Sequence, residues 1–539
     1  MKLRMRLNIL GCRIMFSIAL RGIAPHLSFT IVLLLTLGLS VLANPVQAAD
    51  TWSRGSADVP VAAIALAPDE IANEVPTPND AMPNRATATS PDGKVIVITL
   101  VGDTGFSPSH ARVRSDGVTD RGRRFTWAET TSSIAHEING DINFANIETV
   151  ITDKNTLYPV PKSFNFRTHP NGLRHLSKIG FNLLSLANNH SFDYSVAGVR
   201  ETLKHVATMH AFGIKAHAGL GLRRSQASAP KLFNVKGVQF AFSAMGIGGA
   251  ARAAATSSRP GQINIHDPKA YAEVVDRLSA APADFRILSM HYGTERVIEP
   301  SWSQVRKWRH ETLKAKGIDI IVGHHAHVVE GIEMTDGRLI FYGLGNFLHH
   351  GMQNMAKFNR CRDYGLLARV YLVKSSDGAT KIQAVEVVPL TDMHVKTRPM
   401  AVDQAHRRIE VLNALARRLD DPSAGARGVR FAPRPNGTGL YCVPGAERSL
   451  EPIASLCKSV SEQEVAALTD NEPRRLRCGG YLALRPATAR NASSRTARAK
   501  SHPARKFKRR SRKKTRVAAR RKKSKAKRRH FRDKPGAGR

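Results

Sequence analysis

The sequence predicts a mixed α/β fold for the part of the chain from Lys94 to about Leu390. Two observations support this prediction. Apolar runs that are typical of buried strands alternate with amphipathic helical runs. Several of the apolar runs also stop in side chains that carry oxygen or nitrogen ligand atoms. Because open α/β sheets place ligand sites beyond the carboxyl ends of their strands, we expect these strand ends to share one site.

The helical pattern predicts four helices in this domain, and Asp267 and Ser301 are good N-cap residues for two of them. Two further stretches, Lys231 to Met245 and Leu366 to Pro389, have the pattern of β-hairpins. The predicted helices are Thr131 to Asn139, Tyr194 to His210, Asp267 to Ala280 and Ser301 to Lys316.

The stretch from Gly317 to Phe347 carries the strongest chemical signal. An apolar strand ends there at Gly323, where glycine allows an abrupt turn, and histidines follow at once. His325 and His327 are two residues apart, and on an extended strand end that spacing points both imidazoles to one face. Neutral imidazole is a common ligand for divalent transition metals. The stretch therefore predicts a metal site.

Four other strand ends supply partners for these histidines. Each is an apolar run that stops in carboxylate, amide or imidazole side chains. They are Val95 to Val101 before Asp103, Asp141 to Ala145 before Asn146 and Glu148, Phe181 to Ala187 before Asn189, His190 and Asp193, and Phe285 to Met290 before His291 and Glu295.

Taken together, these motifs resemble the CapA family of capsule synthesis proteins, a branch of the calcineurin-like metallophosphoesterases, over about residues 95–392. The combination of motifs is specific to this family, although each motif alone is weak evidence for it. In chain order the motifs are Gly102-Asp103, Asn146-Ile147-Glu148, Leu186-Ala187-Asn188-Asn189-His190 with Asp193, His291-Tyr292-Gly293-x-Glu295, Gly323-His324-His325-Ala326-His327 and Tyr342-x-Leu344-Gly345-Asn346-Phe347.

The chain departs from the family pattern at several positions. Asp103 is followed by Thr104-Gly105, so the Asp-x-His pair of typical metallophosphoesterases is missing. This departure leaves the number of bound metal ions open. Four other departures remove no ligand atom: Ala145 in place of glycine, Ile147 in place of leucine, Ala326 in place of proline and Gly343 in place of serine.

The resemblance implies two β-sheets packed face to face with helices outside, and metal-assisted phosphoester hydrolysis. It implies one or two divalent ions, of Mn, Fe or Zn, because the ligand set mixes oxygen and nitrogen. The implied metal ligands are Asp103, Glu148, Asn189, His291, His325 and His327. His190 is the implied general acid, and Asp193 would orient it. Residues that could contact substrate are Asn146, Glu295, His324 and Asn346, with Tyr342 in the same pocket. His324 could instead bind metal, and Glu295 could bind metal or orient His291. Asn346 and Tyr342 could equally be ordinary turn residues.

The first 49 residues have the pattern of a secretory signal. Basic residues without an acid precede an apolar run from Ser28 to Ala43, and small residues end at Ala49. An uncleaved N-terminal anchor is the alternative, and both place the rest of the chain outside the cytoplasm, in the periplasm or cell envelope. Residues 50–92 are rich in Ala, Pro, Asn and Ser, which predicts a disordered linker before the domain at 93–392.

Residues 393–480 form a cysteine-containing C-terminal extension, with a helix predicted from Val402 to Leu419. With Cys361 in the core domain, its three cysteines allow up to two disulfides in an exported chain, with three possible pairings.

The remainder, residues 481–539, is predicted to be a disordered basic tail. Residues 491–539 hold 23 Lys and Arg against one Asp, which accounts for 22 of the 39 net positive charges. Outside the cytoplasm its partners would be an anionic envelope polymer or a phospholipid surface rather than nucleic acid. A solvated tail without a specific partner is the alternative.

The sequence is therefore consistent with two functions. The first is an exported metal-dependent hydrolase, phosphatase-like, in the synthesis or export of capsule, poly-gamma-glutamate or another envelope polymer, where it could meet other capsule synthesis proteins. The second is a non-catalytic polymer-binding component of the capsule apparatus. Retention of every candidate ligand favours the first, and the missing Asp-x-His histidine with the cationic tail keeps the second open. A cytosolic nucleic-acid phosphoesterase would require that the first 49 residues are not a signal.

Overall fold

The computed structural model describes residues 2–9, 12–19, 93–248, 251–458, 460 and 478. The chain divides into two compact units, residues 1–85 and 86–539. In the first unit, Lys2–Ile9 and Cys12–Ala19 form an antiparallel hairpin. The predicted apolar signal run, the linker and the basic tail lie outside the described residues. Within the described part, no helix has both the length and the apolar character to span a membrane.

The strands of the chain are numbered here in sequence order. They are β1 (Lys2–Ile9), β2 (Cys12–Ala19), β3 (Lys94–Gly105), β4 (Gly117–Asp120), β5 (Arg123–Thr126), β6 (Ile142–Ile147), β7 (Val150–Ile151), β8 (Arg167–Thr168), β9 (Leu183–Ser185), β10 (Ala216–Ala218), β11 (Leu220–Gly221), β12 (Lys231–Val235), β13 (Val238–Gly246), β14 (Gly261–Gln262), β15 (Phe285–His291), β16 (Ile320–His324), β17 (Ile332–Thr335), β18 (Arg338–Phe341), β19 (Asn346–His349), β20 (Gly365–Lys374), β21 (Thr380–Thr391), β22 (Arg398–Pro399), β23 (Ala426–Gly428), β24 (Ala432–Pro433) and β25 (Gly439–Cys442).

The helices are short or medium in length and lie between these strands. They are α1 (Trp127–Thr131), α2 (Pro170–Lys178), α3 (Ser195–Ala207), α4 (Arg224–Ala227), α5 (Pro268–Ser279), α6 (Trp302–Arg306), which continues as a π-helix over Lys307–Lys314, α7 (Val402–Arg417) and α8 (Ile453–Cys457).

The second unit contains two large sheets. The first has ten strands in the order β10-β9-β6-β3-β20-β21-β25-β24, with β19 paired to β3 and β22 paired to β21. The second has seven strands in the order β12-β13-β15-β16-β18-β17-β23. Strands β3, β6, β9 and β10 are mutually parallel, and so are β13, β15, β16 and β18.

The two sheets pack face to face through apolar side chains. Phe144 of β6 meets Phe242 of β13 across this interface, with ring centroids 6.0 Å apart. The outer face of the seven-stranded sheet is covered by α5 and by the helix that begins at Trp302, with Tyr271 and Trp308 buried there. Helices α2 and α3 bury apolar side chains beside the other sheet. The predicted α/β sandwich with outer helices is therefore confirmed.

Close backbone approach explains two glycines at the strand ends. A Cβ on Gly102 would lie 2.0 Å from the carbonyl oxygen of Gly345, and one on Gly323 would lie 2.1 Å from that of Tyr342. No larger residue fits at either position without moving a neighbouring strand. Gly323 lies inside β16, which ends within the predicted stretch but at His324, so the chain turns after His324 rather than at Gly323.

Most predicted elements are present. Both predicted hairpins are confirmed as β12–β13 and β20–β21, and Asp267 and Ser301 cap α5 and α6 as expected. The helix predicted from Thr131 to Asn139 is wrong: a capping box at Thr126 starts α1 earlier, α1 ends at Thr131, and within the predicted range only Ala135–Glu137 forms a further turn, of 3-10 type. The Thr126 hydroxyl accepts a hydrogen bond from the Glu129 backbone N–H, and the Glu129 carboxylate accepts one from the Thr126 N–H.

The residues after position 392 extend both sheets. Strand β25 pairs with β21, and β23 pairs with β17. Of the three possible cysteine pairings, the structure has Cys361–Cys478 and Cys442–Cys457. The helix predicted from Val402 to Leu419 is confirmed as α7. The C-terminal extension is therefore continuous with the sandwich.

Candidate metal centre

The polar side chains that follow the parallel strands meet at one end of the sandwich. Strands β3, β6 and β9 of one sheet and β15 and β16 of the other direct their carboxyl ends to this place. The structure brings together there the six predicted metal ligands, the predicted acid His190 with Asp193, and Asn146, His324 and Asn346.

Glu148 lies at the middle of this cluster. Its side chain is fully buried, and neither carboxylate oxygen has a hydrogen-bond partner among the described residues. Its Oε1 lies 3.5 Å from His291 Nε2 and 3.9 Å from His190 Nε2, and its Oε2 lies 3.4 Å from His349 Nε2. A buried carboxylate without a hydrogen bond is costly unless it is paired or binds a cation.

Asp103, at the end of β3, is also fully buried and contacts several donors. Its Oδ1 accepts a hydrogen bond from Asn146 Nδ2 at 2.9 Å. Its Oδ2 accepts one from the backbone N–H of His325 at 3.2 Å and lies 3.1 Å from His327 Nδ1. His324 Nδ1 lies 3.4 Å from Oδ1. Asp103 thus contacts residues at the strand ends of both sheets.

The loop after β16 places its histidines differently from the sequence prediction. His325 has φ of 88° and His327 has φ of 56°, so neither lies on an extended strand end as expected. Such left-handed conformations cost energy for residues other than glycine, and they occur preferentially at functional sites. The two imidazoles nevertheless converge with Glu148, and the ligand atoms of the three residues all lie within 4.8 Å of one another.

On the other side of Glu148, His291 Nε2 lies 2.7 Å from Asn189 Oδ1. His327 Nδ1 similarly lies 2.9 Å from Asn346 Oδ1, so Asn346 faces the cluster as predicted. Tyr342 does not, and the prediction that it lines the pocket is wrong. Its ring stacks on Trp308 on the outer face of the sheet, and its hydroxyl donates to Glu333.

His190 and Asp193 form a hydrogen-bonded pair beside the cluster, with 2.7 Å between His190 Nδ1 and Asp193 Oδ2. Asp193 is fully buried, and its Oδ1 lies 2.5 Å from Lys162 Nζ. The same ammonium donates to the carbonyl of Asn189 at 2.9 Å. Lys162 and Asp193 therefore fix the orientation of His190.

An open cavity of about 310 Å³ adjoins this pair. It is lined by Lys162, Phe164, His190, Arg252 and Glu295, among others. Glu295 thus lies at the cavity beside the cluster. His190 is one of the residues on the wall of this open cavity.

Burial and mutual charge shift the pKa values within the cluster. Burial and the charge of Asp103 raise the pKa of Glu148 to about 7. Burial alone would lower the pKa of His327, but Glu148 and Asp103 outweigh it and raise that pKa to about 10. Burial followed by the charge of His327 lowers the pKa of His325 to about 4 and that of His349 to about 3. Both of these imidazoles are therefore neutral and able to bind a cation at neutral pH.

The residues present fit a divalent metal ion. Besides the unpartnered Glu148 oxygens, ring nitrogens of His324, His325 and His349 are buried without a hydrogen-bond partner among the described residues. The set combines carboxylate oxygen with imidazole nitrogen, a combination typical of Mn, Fe and Zn sites. A bound cation would satisfy groups that the protein itself leaves unpaired.

Sequence analysis missed two residues of this centre. His349, at the end of β19, had a usable signal, because it ends a buried strand that follows the Asn346 motif. Lys162 had no such signal, because it lies in an irregular segment without periodicity.

The chain is similar to known capsule proteins. A family described as bacterial capsule synthesis protein PGA_cap matches residues 97–350. The PGA biosynthesis protein CapA of Bacillus subtilis is 28% identical over 251 residues, which cover 47% of this chain and 63% of that protein. The capsule biosynthesis protein CapA of Bacillus anthracis is 26% identical over 267 residues, covering 49% of this chain and 61% of that protein. The chain thus spans less than two thirds of the length of these relatives.

Solved structures resemble the fold only weakly. A hypothetical protein from Thermus thermophilus has a TM-score of 0.30 at 14% identity, with 56% of this chain and all of that chain covered. The NAD nucleotidase of Haemophilus influenzae has a TM-score of 0.28 at 10% identity, with 59% and 62% covered. TM-scores this low do not indicate a function for this chain. The family match shows that residues 97–350 form a domain of the bacterial capsule synthesis type, and the sequence relatives agree with the resemblance to CapA proteins.

Proposed function

We propose that this chain is a metal-dependent hydrolase of phosphoester type that acts in the synthesis or export of an anionic envelope polymer. The observation that carries the proposal is the buried, unpartnered carboxylate of Glu148 among imidazoles and Asp103. The names of the relatives, which refer to capsule and PGA biosynthesis, support a polymer such as poly-gamma-glutamate as the context.

The proposed ligands are the six side chains at the sheet ends. When bound, a divalent ion would supply Lewis-acid polarisation of a phosphoryl oxygen and would make water a better nucleophile at neutral pH. The protein would hold Mn, Fe or Zn through Asp103, Glu148, Asn189, His291, His325 and His327.

The chain's own residues would handle the leaving group. His190 is bound to Asp193 through Nδ1, which leaves Nε2 to give a proton to the departing oxygen. The adjoining cavity would receive the leaving group, with Glu295 on its wall. In this proposal Asn146, His324 and Asn346 contact the substrate or support the ligands, because each lies against Asp103 or His327.

The purified protein tests this proposal directly. We expect metal analysis to find Mn, Fe or Zn, and we expect the loaded protein to hydrolyse p-nitrophenyl phosphate or bis(p-nitrophenyl) phosphate. Chelation should abolish turnover, and adding back the ion should restore it. A protein that binds metal but hydrolyses neither compound would favour the polymer-binding component instead.

We further propose that the chain is exported and that its basic tail contacts an anionic polymer or phospholipid surface. Deleting residues 491–539 should leave the folded domain intact and weaken cosedimentation with phosphatidylglycerol vesicles or poly-gamma-glutamate. The tail carries 23 Lys and Arg residues, so the binding of the intact protein should weaken as salt rises. A full-length variant with these residues changed to glutamine is the matched control for tail length. Binding that is insensitive to salt would contradict the electrostatic explanation.

A further inference from the structure

The candidate metal centre lacks one histidine that typical metallophosphoesterases have, and it contains another histidine without a proposed role. Position 105, where typical metallophosphoesterases carry the histidine of their Asp-x-His pair, is glycine in this chain. His349, which is not one of the six proposed ligands, is fully buried, and neither of its ring nitrogens has a hydrogen-bond partner among the described residues.

The two positions are brought together by strand pairing. Strand β19 lies parallel to β3, with Asn346 opposite Asp103 and His349 opposite Gly105, and an irregularity after Asn346 sets this register. A Cβ at position 105 would lie only 3.1 Å from both Cε1 and Nε2 of His349. The imidazole of His349 therefore occupies the space beside β3 that a side chain at position 105 would enter.

The imidazole also faces the predicted ligands. Its Nε2 lies 3.4 Å from Glu148 Oε2, and its ring centroid is 5.5 Å from that of His327, which in turn contacts Asp103. The other oxygen of Glu148 faces His291, which contacts Asn189. Glu148 thus lies between two ligand groups, and His349 belongs to the group that contains Asp103 and His327.

We infer that His349 supplies the imidazole ligand that position 105 lacks, so that this centre binds two divalent ions rather than one. The ring of His325 lies nearer to that of His291, at 4.9 Å between centroids, than to that of His327, at 6.1 Å. One ion would therefore be held by Asp103, His327 and His349, the other by Asn189, His291 and His325, with Glu148 available to both. The inference rests on the metal centre of the proposed function, but it does not require that the protein hydrolyses a phosphoester.

Metal stoichiometry tests the inference without an activity assay. We expect the zinc-loaded parent to hold two ions per chain after desalting, and His349→Gln to hold one. His350→Gln is the matched control, because the neighbouring buried imidazole faces Asp120, at 3.7 Å, instead of Glu148. It should keep two ions. An unchanged metal content in His349→Gln would overturn the inference.

A reciprocal exchange gives a second variant. Gly105→His combined with His349→Gly moves the imidazole onto β3 and frees the space that it needs, so the second ion should return. Gly105→His alone should not gain an ion, because His349 already fills this space.

The parent alone provides a measurement that does not depend on whether a variant folds. Loaded with cadmium, it should give two cadmium-113 NMR resonances, and a single resonance at saturation would overturn the two-ion centre. If two ions bind and His349→Gln loses one, but the parent hydrolyses no phosphoester, the inference stands and the proposed function falls. If the parent binds no ion, both fall.

Discussion

Changing His325 to alanine is expected to remove bound metal and hydrolysis together, whereas changing His190 to alanine should remove mainly turnover. His325 is buried, and its ligand atom lies within 4.8 Å of those of Glu148 and His327, so its loss deprives the ion of a ligand. His190 instead engages Asp193 and faces the cavity. Loss of a general acid typically lowers the rate by about 10²–10⁴-fold.

Metal analysis beside hydrolysis of p-nitrophenyl phosphate measures both effects on each purified variant. His217→Ala is a suitable control, because this histidine lies on β10 away from the cluster and is not a proposed ligand. It should leave both metal content and turnover close to those of the parent. If His325→Ala binds metal like the parent, the ligand assignment is wrong. If His190→Ala loses its metal, this residue holds the ion rather than acting as the acid.

Changing Arg309 to methionine is expected to lower the free energy of unfolding by about 3–5 kcal/mol, the usual cost of breaking a buried ion pair. The guanidinium is fully buried and binds both oxygens of Glu333, each at 2.7 Å. It also binds Asp421 at 2.9 Å and the carbonyl of Leu419. The substitution would leave the carboxylate of Glu333 buried without its cation.

Two comparison variants separate charge from packing. Adding Glu333→Gln to Arg309→Met should recover part of the loss, because no unpaired buried charge is then left. Lys316→Met breaks an exposed ion pair with Asp276, whose side chain is 55% exposed, and should cost less than about 1 kcal/mol. Urea unfolding with the disulfides intact measures all three. A loss from Arg309→Met no larger than that from Lys316→Met would show that this pair contributes little to stability.

The sequence was most informative where an apolar run stops in a polar side chain. Asp103, Glu148 and His291 could be placed at one site because parallel strands bring their carboxyl ends together, a rule that needs no knowledge of contacts. The structure supports the same grouping, although the conformation expected for His325 and His327 was wrong. Their roles as ligands stay a prediction.

Other features of the site depend on contacts between segments that are far apart in the sequence, and no single stretch of sequence predicts them. The position of His349 against Gly105 follows from the register of β19 on β3, strands that are more than 200 residues apart in sequence. Lys162 reaches Asp193 from an irregular segment, where no periodicity indicates direction. The pairing of the cysteines likewise depends on the folded chain, because four cysteines allow three arrangements.

The strand order has a consequence for fragments of this protein. The family match ends at residue 350, before β20, which pairs with β3 over eight successive residues from Leu367–Val101 to Lys374–Lys94. A truncation at that boundary would strip β3 of this neighbour and expose a long apolar edge, the kind of surface that promotes aggregation. A soluble fragment should therefore begin at about residue 93 and continue through β25 and both disulfides, to at least Cys478.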